Sequence, residues 1–166
     1  MKNNLILTLA LSALMLGSCN AQLDTTQTNK NTNNMESKFN PLSDQEKNVI
    51  LNKATDRPYT GDYYKKTDKG IYVCRQCNNP LYTSEDKFDS HCGWPSFDQE
   101  IKGSVTRVPD ADGSRTEIIC NNCQGHLGHV FLGEGFTSKD TRHCVNTSSL
   151  MFYPLEEKDK IPAVIK

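Results

Sequence analysis

Two cysteine pairs with two residues between their members, Cys74-Arg75-Gln76-Cys77 and Cys120-Asn121-Asn122-Cys123, are the strongest chemical signal in this 166-residue sequence. A backbone knuckle of that length aims both sulfurs at one ion, and two knuckles complete the tetrahedral four-thiolate cage that zinc prefers. The 42 residues between Cys77 and Cys120 exceed the spacing of a small zinc finger, so the site is expected to clamp two remote parts of one domain. An ion with four protein ligands has no open position for water or substrate. The metal is therefore expected to be scaffold, and reactivity is sought among the other cysteines.

Cys92 and Cys144 both have unusual neighbours. In Thr141-Arg142-His143-Cys144-Val145-Asn146-Thr147, a strand of period two would set Arg142, Cys144 and Asn146 on one face. A guanidinium on the same side as a thiol favours the nucleophilic thiolate. The competing reading is a buried cysteine acting as a small apolar side chain. Cys92 lies in His91-Cys92-Gly93-Trp94-Pro95-Ser96-Phe97, a Gly- and Pro-bearing loop that could present a thiol and move. Trp94, the only tryptophan, suits a core anchor as well as a binding-site wall. Gly125-His126-Leu127-Gly128-His129 offers two imidazoles near glycines. Such a pair can serve as a general acid, bind a second metal, or include a hydrogen-bonded structural histidine.

The elements that must position these groups are mainly β. Short apolar or alternating runs broken by turn residues predict strands over 71–74, 80–83, 104–108, 115–119, 129–132 and 143–153. Asp68-Lys69-Gly70 and Asp110-Ala111-Asp112-Gly113 read as hairpin signals. Ser43-Asp44-Gln45-Glu46 is a capping box that predicts a short helix over 44–53, a minor cover rather than a core element. The tail from Leu155 reads as charged and peripheral.

The N-terminal part differs in kind. Lys2 precedes an apolar run from Leu5 to Leu16, too short for a stable membrane span and suited to the h-region of an export signal. Leu16-Gly17-Ser18-Cys19 resembles a bacterial lipobox, which implies a signal peptide over 1–18 and lipid on Cys19; a plain signal peptide cleaved nearer Ala21 is the rival. Residues 19–38 are rich in Asn, Thr and Gln and read as a flexible tether. The folded domain is expected over 39–166, exported and membrane-anchored, facing the periplasm or the cell surface. With 19 Lys plus Arg against 20 Asp plus Glu, the net charge of -1 gives no basic field for nucleic acid.

Taken together, the two knuckles, Cys92-Gly93-Trp94-Pro95-Ser96-Phe97, His126-Leu127-Gly128-His129-Val130-Phe131 and Arg142-His143-Cys144-Val145-Asn146 resemble, in order and spacing, the B-type methionine sulfoxide reductases. The likeness runs from about Leu42 to Phe152. It implies two antiparallel sheets around a pocket, one structural Zn2+ on Cys74, Cys77, Cys120 and Cys123, a catalytic Cys144 and a resolving Cys92. It further implies His129, His126, Asn146 and Arg142 around the reaction and Trp94 against the substrate. The implied substrate is the R epimer of methionine sulfoxide in oxidised proteins, with a thioredoxin-like reductant, in a monomer that binds no nucleic acid. His91, His143 and Thr147 depart from the residues usual in that family, and Glu134 is a candidate partner for Arg142.

Two rivals remain from other classes. A zinc-ribbon nucleic-acid binder and a zinc-stapled β binding module without redox activity both use the knuckles. Neither has work for Cys92 or for a thiol beside Arg142.

Overall fold

A computed structural model describes residues 38–111 and 113–166; the expected signal peptide, Cys19 and nearly all of the tether lie outside them. Ser43 caps the first element as its sequence demands. Its Oγ accepts from Glu46 N–H at 3.3 Å while Glu46 Oε2 accepts from Ser43 N–H at 2.8 Å. The helix, α1 (Asp44–Ile50), stops short of the expected Lys53. Lys53 has a φ of 59°, a left-handed conformation that turns the chain away from the helix axis. Val49 and Ile50 are nevertheless fully buried, so α1 contributes more to the core than a cover.

Among the described residues nine strands follow: β1 (Gly70–Cys74), β2 (Pro80–Thr83), β3 (Lys87–Phe88), β4 (Ser96–Phe97), β5 (Val105–Pro109), β6 (Thr116–Cys120), β7 (His126–Leu132), β8 (Thr141–Val145) and β9 (Leu150–Pro154). They form a three-stranded sheet in the order β2-β1-β9 and a six-stranded sheet in the order β3-β4-β8-β7-β6-β5, antiparallel throughout. No helix among the described residues is long and apolar enough to cross a membrane.

The two sheets share one core. Tyr72 and Tyr82 from the small sheet meet Phe97 from the large one with ring centroids 5.0 and 4.3 Å apart, and Leu81, Ile118, Leu127, Val145 and Leu150 fill the space around them. Each aromatic pair contributes about 0.5–1.5 kcal/mol beyond its buried area. Phe97 lies on β4, a two-residue strand that alternation cannot reveal.

Three sequence expectations are corrected. The run 143–153 is two strands in different sheets rather than one: Asn146 N–H donates to Leu127 O at 2.8 Å, and a 3-10 turn, Thr147–Ser149, carries the chain across. Asp68-Lys69-Gly70 leads into β1 from a loop, with no strand before it to make a hairpin. The tail is also not peripheral. After a 3-10 helix, Leu155–Lys160, it returns to the knuckles, where Ile165 N–H donates to Cys77 O at 2.9 Å and Asn122 Nδ2 donates to Ile165 O at 2.6 Å.

Candidate active site and metal centre

The four knuckle cysteines converge. Their sulfurs all lie within 4.8 Å of one another, with Cys74–Cys123 and Cys77–Cys120 each at 3.6 Å. A tetrahedron of sulfurs about 2.3 Å from a zinc ion has edges of roughly 3.8 Å, so the set fits that ion closely. Each knuckle bends through a left-handed residue, Asn78 at φ 63° and Gln124 at φ 62°. Asn78 N–H and Gln124 N–H return to the first cysteine carbonyl of their pair at 2.9 Å. Asn79 Nδ2 reaches Cys120 Sγ at 3.6 Å, a side-chain donor to the sulfur cage. Cys74, Cys77 and Cys120 form part of the hydrophobic core, so an ion there would join β1 and β6 where the two sheets meet.

The second pair of sulfurs is set by strand register. On the six-stranded sheet Glu117, His129, Cys144 and Ser96 stand opposite one another across β6, β7, β8 and β4. Directly opposed residues share a face, so this row carries His129 and Cys144 side by side. His143, the residue before Cys144, points the other way into the core. Its Nδ1 lies 3.0 Å from Tyr82 Oη, and burial lowers its pKa to about 4, which keeps it neutral.

His126 and His129 would face opposite sides of a regular strand. A bulge changes that. Pairing steps from Ile118↔Gly128 to Ile119↔His126, skipping Leu127, and the two rings come to 5.6 Å between centroids. Gly128 permits the bulge: its φ is 154°, and a Cβ there would stand 2.0 Å from the Cys144 carbonyl oxygen. The displaced Leu127 carbonyl accepts from both Asn146 N–H and Asn146 Nδ2, at 2.8 and 3.2 Å.

A cleft of about 110 Å³ opens over this face, lined by Thr55, Trp94, Arg115, Gly128, His129, Phe131, Cys144 and Asn146. Trp94 is thus a wall of the cleft rather than a core anchor. His126 is not on the wall. It is buried behind His129, with Nδ1 2.7 Å from Glu117 Oε1 and Nε2 without a protein partner among the described residues. Burial lowers the His126 pKa against the opposing effect of Glu117, so the ring is neutral, donates from Nδ1, and presents Nε2 as an acceptor. His129 Nε2 lies 3.0 Å from Asp110 Oδ2, which also accepts from Arg115 at 2.7 Å. Neither Asp110 nor Arg115 stood out in sequence, because the hairpin that brings them over the cleft has only turn chemistry to mark it.

Arg142 is held on both sides. Glu134 accepts from its Nε and one terminal nitrogen at 2.7 and 2.8 Å, and the guanidinium lies 4.3 Å from the Phe131 ring centroid. The candidate carboxylate of the sequence is the one that pairs.

Cys92 reaches the site from its loop, with Sγ 3.8 Å from Cys144 Sγ and 2.9 Å from Ser90 Oγ. The hydrogen bond from Cys144, together with Ser90, pulls the Cys92 thiol down to about 4 against its burial. The same contact, with burial, pushes Cys144 above the ordinary thiol range, and Arg142 offsets this only in part. The effect of Arg142 expected from sequence is present, but the neighbouring sulfur outweighs it. The balance in the resting dithiol favours ionisation of Cys92 over Cys144.

The SelR domain family matches residues 42–154. The chain is similar to peptide methionine sulfoxide reductase B2, chloroplastic, of Arabidopsis thaliana, 54% identical over 114 residues, 68% of this chain and 56% of that protein. It is similar also to peptide methionine sulfoxide reductase B3, chloroplastic, of Oryza sativa subsp. japonica, 50% identical over 121 residues, 72% of this chain and 53% of that protein. A third relative, peptide methionine sulfoxide reductase B5 of Arabidopsis thaliana, is 48% identical over 121 residues, 72% of this chain and 87% of that protein. The chain spans about half the length of the first two relatives and most of the third.

Proposed function

This chain belongs to the SelR-domain, B-type methionine sulfoxide reductase family, and from that premise we propose that it reduces the R epimer of methionine sulfoxide in proteins. The observation that carries the proposal is the row that sets His129 opposite Cys144, with Cys92 Sγ 3.8 Å from the Cys144 sulfur.

Cys144 Sγ attacks the sulfoxide sulfur while its hydrogen passes to the sulfoxide oxygen. The substrate S–O bond breaks as the oxygen passes to Cys144 Sγ to give a sulfenic acid, and the Sγ–S bond opens to release methionine as the thioether. His129, which lines the cleft beside Cys144, holds the proton in passage. Asn146 orients the sulfoxide: Oδ1 and Nδ2 each have one bond to protein and one site left for the cleft. The neutral, acceptor-bearing His126 supports the His129 ring from behind rather than acting as the acid. Cys92 Sγ then attacks the sulfenic sulfur; the S–O bond breaks and the departing hydroxide takes the proton given up by the Cys92 thiol, leaving as water and giving a Cys92–Cys144 disulfide. Joining the sulfurs needs only a closing of the 3.8 Å gap, a local adjustment of the Cys92 loop. A dithiol of the thioredoxin type restores both cysteines by exchange.

The apolar methyl and thioether groups suit a cleft walled by Trp94 and Phe131. The two epimers exchange oxygen and methyl, so a pocket with its proton donors on one side serves one of them. Cys74, Cys77, Cys120 and Cys123 would hold zinc as a structural ion, which takes no part in the reaction.

Export and a lipid on Cys19 belong to the same proposal and rest on the order of Lys2, the apolar run and Leu16-Gly17-Ser18-Cys19 alone. Palmitate labelling of the wild type and of Cys19→Ala tests the anchor; equal labelling of both removes it.

The deciding experiment supplies R and S sulfoxide epimers of a methionyl peptide separately, with dithiothreitol. Turnover of R, lost in Cys144→Ser with fold and zinc content kept, is the expected result. Turnover confined to S, or activity retained without Cys144, would overturn the proposal.

A further inference from the structure

We propose that Asp56 is a positioning residue of this active site, whose main chain ties Trp94 to Asn146 and whose carboxylate anchors the turn after Asn146, so that it sets the width of the substrate cleft. The inference rests on the sulfoxide-reducing reading of the cleft given above.

Asp56 lies in the irregular segment between α1 and β1, next to Thr55, which lines the cleft. Its backbone N–H donates to Asn146 Oδ1 at 2.9 Å, and its carbonyl accepts from Trp94 Nε1 at 3.0 Å. Two lining residues of the cleft are thereby bound to one residue. The indole has a single donor and spends it here. The orientation of Trp94 therefore follows the position of the Asp56 carbonyl.

The carboxylate explains how that position is kept. Oδ2 accepts from Ser148 N–H at 2.8 Å, and Oδ1 accepts from Ser148 Oγ at 2.7 Å and Gln45 Nε2 at 3.0 Å. Three donors from α1 and from the Thr147–Ser149 turn converge on a side chain that is 9% exposed. An ionised carboxylate is acceptor-only and meets all three; an amide would set N–H against at least one of them. The next residues extend the grip to the Cys92 loop, where Tyr59 N–H donates to Gly93 O at 2.8 Å and Tyr59 Oη donates to His91 O at 2.7 Å. A single segment thus holds the substrate wall, the orienting amide and the loop of the second thiol.

The test uses the full chain with its metal and three variants, Asp56→Asn, Asp56→Ala and Gln45→Ala. Trp94 is the only tryptophan, so its emission maximum and acrylamide quenching report one wall of the cleft directly. Because a displacement of about 1 Å can cost on the order of 100-fold, Asp56→Ala is expected to lower kcat/KM for an R-sulfoxide peptide by roughly 10- to 100-fold. KM should rise through Trp94 and kcat fall through Asn146, with red-shifted, more easily quenched emission. Asp56→Asn should move each readout the same way by less, and Gln45→Ala, which removes one of the three donors to the carboxylate, by less again. Folded, metal-loaded Asp56 variants that keep both constants and the wild-type emission would overturn the proposal. So would a loss of thermal stability with Trp94 emission unchanged, which would make Asp56 structural only. Should Asp56→Ala not fold, Asp56→Asn and Ser148→Ala decide by the same readouts. A wild-type chain inactive on both epimers removes the reading of function and leaves Trp94 quenching in Asp56→Asn to judge the positioning by itself.

Discussion

Gly128 and Cys144 pack backbone against backbone, so closely that a methyl group on Gly128 would stand 2.0 Å from the Cys144 carbonyl oxygen. That close approach accommodates the bulge that brings His126 beside His129. Gly128→Ala is therefore expected to destabilise the fold by about 3 kcal/mol, from overpacking and an unfavourable φ together. Urea unfolding measures the loss, and peptide reduction should fall with it. Wild-type stability in the variant would mean that the two strands can separate without cost.

Cys92 controls the ionisation of Cys144. Its hydrogen bond is the largest cause of the raised Cys144 thiol, so Cys92→Ser should bring the Cys144 pKa down while leaving Arg142 to favour the thiolate. The pH dependence of iodoacetamide labelling at Cys144, followed by mass spectrometry, should show a midpoint lower than in the wild type. Without reductant the variant should form one methionine per enzyme and leave a sulfenic acid that dimedone traps. An unchanged or raised midpoint would contradict the shared proton.

The Glu134–Arg142 pair contributes stability with a defined pH window. Arg142 holds the Glu134 carboxyl below its ordinary value, chiefly through the hydrogen bond between them. A depressed carboxylate stabilises fully above its unfolded pKa of about 4.3 and loses that contribution as pH falls through the lower folded value. The Glu134 side chain is 35% exposed and that of Arg142 10%, so the worth lies between a surface pair and a buried one. Glu134→Gln should cost about 1–2 kcal/mol at neutral pH and flatten the acid side of the stability profile. Equal slopes for variant and wild type below pH ~4 would assign the acid loss to other carboxylates.

Metal removal should act on the fold before it acts on the chemistry. Cys74 and Cys77 sit on β1 and its following turn, Cys120 on β6 and Cys123 just after it, so loss of the ion frees the seam between the sheets. Chelation, or Cys77→Ala, is expected to lower the melting temperature by on the order of 10 °C or more, given the several kcal/mol that a structural zinc supplies. Elemental analysis of the native chain should give one zinc per molecule. A chain with no metal and unaltered melting would remove the clamp.

The knuckles, the two cysteines outside them, the histidine pair and the capping box were legible in the sequence, because each depends on residue types at short fixed spacings. The mainly β architecture was legible too, since alternation and turn residues mark most strands. Two-residue strands such as β3 and β4 carry no period, and the run 143–153 looked continuous because both of its halves are apolar. What the tertiary structure decided are the relationships across distance. Parity along β7 separates His126 from His129, and only the backbone approach of Gly128 to Cys144 reunites them. Arg142 predicts an ionised Cys144, and only the sulfur 3.8 Å away, brought by a loop 52 residues earlier in the chain, turns the balance toward Cys92. Asp56 has no motif at all; its importance comes from three donors and two walls that meet at one buried residue. Local sequence fixes which groups are chemically able, whereas proton placement and orientation depend on neighbours that only the fold supplies.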